Sequence, residues 1–221
     1  MNTTFISSDE LKNSSKTLIK NLSLLFKDPV GQSVEITNDT RIVTGIQLIV
    51  INFITVLLGM IFSTIGIKLK FSNYSLFSAF SGFKYFAAAI LILIPSYFIG
   101  AAILYATTKF IGKHDIDYLT ALNLFSVKAV FDAVFIFAGS LITIFIPGFG
   151  TGLVLCGCGC SFILLILTYI NLFEIEGTKL LITLCITFTY VCSTTYSFTS
   201  VAYKYTVIGS LYNSILGGLL Y

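Results

Sequence analysis

Lys128 and Asp132 are four residues apart in an otherwise apolar part of the chain, just before the uncharged stretch 133–173. On a helix that spacing puts both side chains on one face. Ionisable groups inside a membrane span are costly and are functional candidates by default. The pair therefore reads as an ion or proton site, or as a polar contact that gates a cavity. The competing reading is an intrahelical pair at the membrane edge, with Lys128 extending its ammonium to the headgroups. Room for the third span to begin late favours that interfacial reading.

Nothing else in the sequence assembles into a reaction centre. His114 is the single histidine and lies in the polar connection Gly112–Asp117, with no second His or Cys in a wet segment to complete a metal set. Glu174 and Glu176 form a short connection with Lys179, with no nucleophile beside them. Gly148, Gly150 and Gly152 miss the dinucleotide spacing, because Leu153 stands where a third glycine is needed. Cys156, Cys158 and Cys160 alternate with glycine, unlike the C-x-x-C pair of a zinc or redox motif. With Cys185 and Cys192 they read as small buried helix residues. Catalytic residues, metals and cofactors are therefore not expected, and neither is enzyme activity. Gly152, Cys156 and Cys160 recur every four residues, which predicts a helix-packing face where a neighbouring helix can approach closely.

The elements that hold these residues must sit in lipid. Hydrophobic residues make up 56% of the 221 and charged residues 10%, against about 45–50% and about 25% in soluble chains. A domain of this size still exposes much of its surface, so the excess cannot all be hidden in a core. This excludes a soluble enzyme, a disordered chain and a nucleic-acid binder. The net charge of +3 is too small to argue for an anionic polymer as partner. The predicted fold class is all-α, a polytopic membrane helix bundle with about five transmembrane helices. The spans are 42–67, 85–108 (containing Pro95), 121–146, 151–173 and 180–203, with a tight turn at Pro147–Gly150 between the third and fourth. The first apolar run begins at Ile42, too late and too long for a cleaved signal.

Residues 1–41 read as a cytoplasmic N-terminal segment, 42–203 as the membrane domain and 204–221 as an apolar tail. The tail is read as an interfacial helix or a continuation of the fifth span, with a short, glycine-rich sixth span as the alternative. Leu18, Leu22, Leu25 and Phe26 share one helical face bordered by Lys16, Lys20 and Lys27, and Asp28-Pro29 ends the segment. This predicts an amphipathic helix on an anionic membrane surface, followed by a second short helix in Val30–Thr40. Lys12, Lys16, Lys20, Lys27, Arg41, Lys109, Lys113 and Lys179 fall on one side of a five-span chain, and Lys68, Lys70, Lys84 and Lys204 on the other. The positive-inside rule then places the N-terminus in the cytoplasm.

Three segments resemble the Yip1-like membrane proteins, particularly their bacterial branch. They are Leu18-Ile-Lys-Asn-Leu-Ser-Leu-Leu-Phe-Lys-Asp-Pro29 before the first span, Phe83-Lys-Tyr-Phe86 opening the second, and Ile111–Leu124 before the third. The likeness covers most of residues 16–203. Val127-Lys128-Ala129 departs from it, since a proline often follows the matching segment, and no cysteine precedes Cys156 to form an N-terminal zinc ribbon. The Asp-Leu-x-Gly-Pro signature of the eukaryotic members is missing, so their GTPase-linked role is not carried over. The resemblance implies a five-helix bundle in a bacterial cell membrane with its N-terminus in the cytoplasm. The expected function is non-enzymatic: organising or assisting partner membrane proteins, or shaping lipid. The expected partners are the lipid bilayer and other membrane proteins or further copies of the chain, with no nucleic acid. The alternative is a small transporter, or a transporter's membrane subunit, using Lys128 and Asp132. A weaker third reading is protection against membrane-active agents.

Overall fold

Asp28 and Pro29 make a helix boundary in two ways. The Asp28 carboxylate accepts a hydrogen bond from the Gly31 amide at 3.0 Å, and Pro29 presets φ at the start of the next helix. That helix is α1, Pro29–Thr37, within the segment where the sequence predicts a short helix. The computed structural model describes residues 24–38, 42–71, 82–173 and 177–204. Leu18 and Leu22 of the predicted surface helix, the acidic connection Glu174–Glu176 and the tail after Lys204 lie outside these residues.

Long helices follow: α2 (Ile42–Phe71), α3 (Gly82–Ala106), α4 (Tyr118–Thr143), α5 (Pro147–Phe173) and α6 (Gly177–Lys204). All five carry a stretch long and apolar enough to cross a membrane. The protein is an all-α helical bundle of the polytopic type. α3 continues through Pro95, and one residue on α6 ties to it there: the Tyr190 hydroxyl donates to the Ser96 carbonyl at 2.8 Å. It then widens into a π-helical turn, Thr107–Gly112, closed by Lys113 at φ 61°. Asp117 caps α4, its carboxylate accepting from the Thr120 amide at 2.9 Å.

The turn between α4 and α5 lies at 144–146, earlier than the Pro147–Gly150 expected from sequence. Pro147 opens α5 instead, because its missing N–H costs nothing in a first helical turn. Gly150 belongs to the helix–helix contact: a β-carbon there would lie 2.5 Å from the Gly139 carbonyl.

α4 is the central helix. It packs most extensively against α5 and α2, more thinly against α3, and also meets α1. Half of its span is buried inside the protein (50%), against 11% for α6, which leans on α3 at the periphery. The two halves of the bundle are packed differently. One half, which contains α1, holds the main core: Leu25, Ile36, Leu48, Leu104, Leu122, Leu165 and Tyr169 are all buried there. The other half, nearer the α4–α5 turn, encloses a cavity.

Candidate functional site

The helix that carries Lys128 and Asp132 determines what the pair can do. α4 runs Tyr118–Thr143, so both residues fall near its middle and not at its edge. That position is mid-helix, whereas the interfacial reading favoured from sequence places the pair at a helix end. The cause is the Asp117 cap, which fixes an early start to the helix. The Lys128 ammonium meets Asp132 Oδ2 at 2.7 Å, with side-chain exposures of 14% and 6%. Ser161 on α5 donates its hydroxyl to Asp132 Oδ1 at 2.5 Å, so both carboxylate oxygens are held. The ammonium also lies 5.3 Å from the Tyr97 ring centroid and 5.6 Å from that of Phe125, within cation–π range. Asn52 on α2 donates from Nδ2 to the Tyr97 hydroxyl at 2.5 Å. The site therefore draws on α2, α3, α4 and α5.

Asn52, Tyr97 and Ser161 are the functional candidates that sequence reasoning passed over. The available signal was weak: each is a polar residue in an apolar helix, and only tertiary packing aligns it with the pair. Removing one partner would leave an uncompensated buried charge, which is strongly destabilising.

The pair and its neighbours line a cavity of about 370 Å³. Asn52, Tyr97, Lys128, Asp132 and Ser161 lie at its deep end, beside Cys158. From there the lining follows α2 to Met60, α4 to Thr143 and α6 to Thr195, and climbs back along α5 to Val154 and along α3 to Ile92. Those positions are all nearer the end of the bundle where α4 turns into α5. The walls are mainly apolar, with Val56, Leu93, Ile136, Phe162 and Val191 among them. The arrangement is a vestibule with a charge pair at its inner end, and the buried core lies beyond that end.

The predicted packing face is placed differently. Gly152, Cys156 and Cys160 are exposed on α5, and a β-carbon at Gly152 would meet nothing within 4 Å. The contact with α4 uses another face of α5, where Gly150 and Gly157 are buried, and a β-carbon on Gly157 would collide with Phe135. Gly139 on α4 completes it, its added β-carbon falling 2.8 Å from the Gly150 carbonyl. Both faces of α5 carry small residues at helical spacing, so spacing alone does not separate them.

Leu25 also differs from expectation. It is fully buried in the core instead of facing a membrane surface, while Phe26 is 54% exposed, its ring tilted against that of Phe131 of α4 with centroids 5.8 Å apart. α1 packs on α4 and α5, and of the described residues on the predicted apolar face Leu25 enters the core. His114 is exposed in the α3–α4 connection, its ring 6.0 Å from that of Phe173. Among the described residues no group of His, Cys, Asp and Glu is placed to hold a metal ion. Comparison with known protein families, curated proteins and solved structures returned no match to this chain.

Proposed function

We propose that the protein is a small membrane transporter, or the membrane subunit of one, whose solute site is the vestibule around Lys128 and Asp132. The observation that carries this reading is an ion pair at mid-helix depth that lines a cavity and is not packed away from it. A charged pair in a membrane interior is expensive, and such residues mark solute or proton paths. The scaffold reading gives the pair no task. The reading includes no chemical conversion of the solute, so the protein is taken as non-enzymatic. By the positive-inside count, the N-terminus and α1 face the cytoplasm and the vestibule lies in the opposite half of the bundle. A bacterial cell membrane and a place among the Yip1-like proteins remain part of the proposal, supported by the three segments named above.

The test is flux in liposomes. Purified protein should accelerate entry of at least one small solute, or of protons, over protein-free liposomes. Asp132→Asn, reconstituted at equal density, should bring the rate back near background. Absence of flux for a broad solute panel overturns the transport reading.

A second reading rests on a different observation. The Gly152, Cys156 and Cys160 stripe and most of α6 are left uncovered by the described residues. Such surfaces suit self-association or an organising contact with another membrane protein. Crosslinking in the native membrane, followed by mass spectrometry of what co-purifies, tests it: near-stoichiometric recovery of a partner or a second copy supports the contact. Recovery of single chains alone removes it.

A further inference from the structure

The chemistry at the inner end of the vestibule restricts which ligand can occupy it. Lys128 and Asp132 together carry no net charge, and both line the cavity. A ligand that adds a net charge at this depth leaves that charge uncompensated in a membrane interior. A ligand with a carboxylate and an ammonium on one carbon adds none. Its carboxylate can pair with Lys128 and its ammonium with Asp132, replacing one ion pair by two. Ser161 and the Tyr97 and Phe125 rings then keep the two side chains in place, since they hold the Asp132 Oδ1 and the ammonium independently of the Lys–Asp contact. Beyond the pair the walls are mainly apolar, through Val56, Leu93, Ile136, Phe162 and Val191, with the hydroxyls of Ser140, Thr143, Thr194 and Thr195 farther toward the α4–α5 turn. The charged end of a ligand is thus matched at the inner end and an apolar body is matched toward the mouth. The cavity, at about 370 Å³, lies at the small end of the range for ligand sites, about 300–1,000 Å³.

We propose that the vestibule binds a small zwitterion of the amino-acid class with an apolar side chain, its charged end against Lys128 and Asp132. This rests on the transport reading for its purpose, though binding and flux are measured separately.

Cys158 supplies the readout. It lines the cavity near the pair and is partly accessible, whereas Cys156, Cys160, Cys185 and Cys192 are exposed on the outer surface of the bundle. In the full chain with those four changed to serine, Cys158 is the single thiol. Labelling by N-ethylmaleimide is followed by mass spectrometry, with and without L-leucine as the probe. Two analogues accompany it: isocaproate, which lacks the amine, and isoamylamine, which lacks the carboxylate.

L-leucine at about ten times its dissociation constant should slow labelling roughly tenfold, by simple occupancy. Each single-charge analogue should need a roughly hundredfold higher concentration for the same protection. Asp132→Asn should lose leucine protection. Because that variant carries an unpaired lysine and can fail to fold, the decisive comparison is among the three ligands on the unaltered site. Equal protection by leucine and either analogue overturns the charge rule. So does labelling that no compound slows, or a thiol that never reacts. If leucine protects but does not cross the liposome membrane, the binding proposal stands, leucine is removed as a transported solute, and the transport reading is decided by the solute panel.

Discussion

Asp132 is held on both oxygens, by Lys128 at 2.7 Å and by Ser161 at 2.5 Å. Its energetics are those of a buried pair, in which attraction roughly repays desolvation while loss of one partner does not. Asp132→Leu or Lys128→Met alone should therefore destabilise the protein by about 3–5 kcal/mol, since each leaves a lone charge. The double variant Lys128→Met with Asp132→Leu should be more stable than either single variant. Thermal unfolding in detergent, read as a double-mutant cycle, checks this. A double variant that sums the two single losses would mean the residues act independently. Function should respond in the opposite way to stability: the double variant keeps the fold but loses the charges on which the proposed site depends. The sequence placed these two residues on one face through their four-residue spacing. It did not place Ser161, Asn52 and Tyr97 beside them, because those residues arrive from three other helices.

Helix ends and helix contacts make their own predictions. Gly157→Ala should cost about 1–3 kcal/mol, since the added carbon overlaps Phe135 and the well-packed α4–α5 contact must shift. Gly152→Ala, with nothing within 4 Å, should stay within about 0.5 kcal/mol of the parent. The contrast, measured by thermal unfolding, decides which face of α5 meets α4; equal effects would reject the assignment. At the start of α4 the hydrogen bond from Thr120 holds the Asp117 carboxyl below its ordinary range. A carboxyl lowered in the folded state contributes stability that is present above its unfolded value and is lost as pH falls through the folded one. Asp117→Ala should accordingly cost about 0.5–2 kcal/mol near neutral pH, and the difference from the parent should vanish in strong acid. A difference that persists there would mean the side chain acts by packing and not as a charged cap.

Across the whole molecule the asymmetry of the bundle is the main feature: a filled half containing α1 and a hollow half toward the α4–α5 turn. The proposed orientation, with the half containing α1 in the cytoplasm, rests on the excess of Lys and Arg on the N-terminal side. Two single-cysteine reporters check it, in the chain with its native cysteines replaced. His114→Cys, in the exposed α3–α4 connection, should react with a membrane-impermeant maleimide only after cells are opened. Phe149→Cys, exposed at the turn end of α5, should react on intact cells. The reverse pattern would turn the protein over and put the vestibule mouth in the cytoplasm.

Composition and run length determined the solvent, the helical class and the five spans, because lipid forces the backbone to satisfy its own hydrogen bonds and needs about 20 apolar residues per crossing. Local chemistry also marked Asp28-Pro29 as a boundary and made Lys128 and Asp132 neighbours. Tertiary structure decided the rest. Gly152, Cys156 and Cys160 recur every four residues and Gly150 and Gly157 two turns apart, so each set lies on one helix face, and only the position of α4 separates the two faces. Leu25 has the apolarity of a membrane-facing leucine, and only the fold of the N-terminal segment against α4 and α5 buries it. The depth of the charge pair depended on where α4 begins, and its access to a cavity depended on how five helices leave space between them. Spacing along one chain fixes which residues share a face; which neighbour that face meets is set by packing among helices distant in sequence.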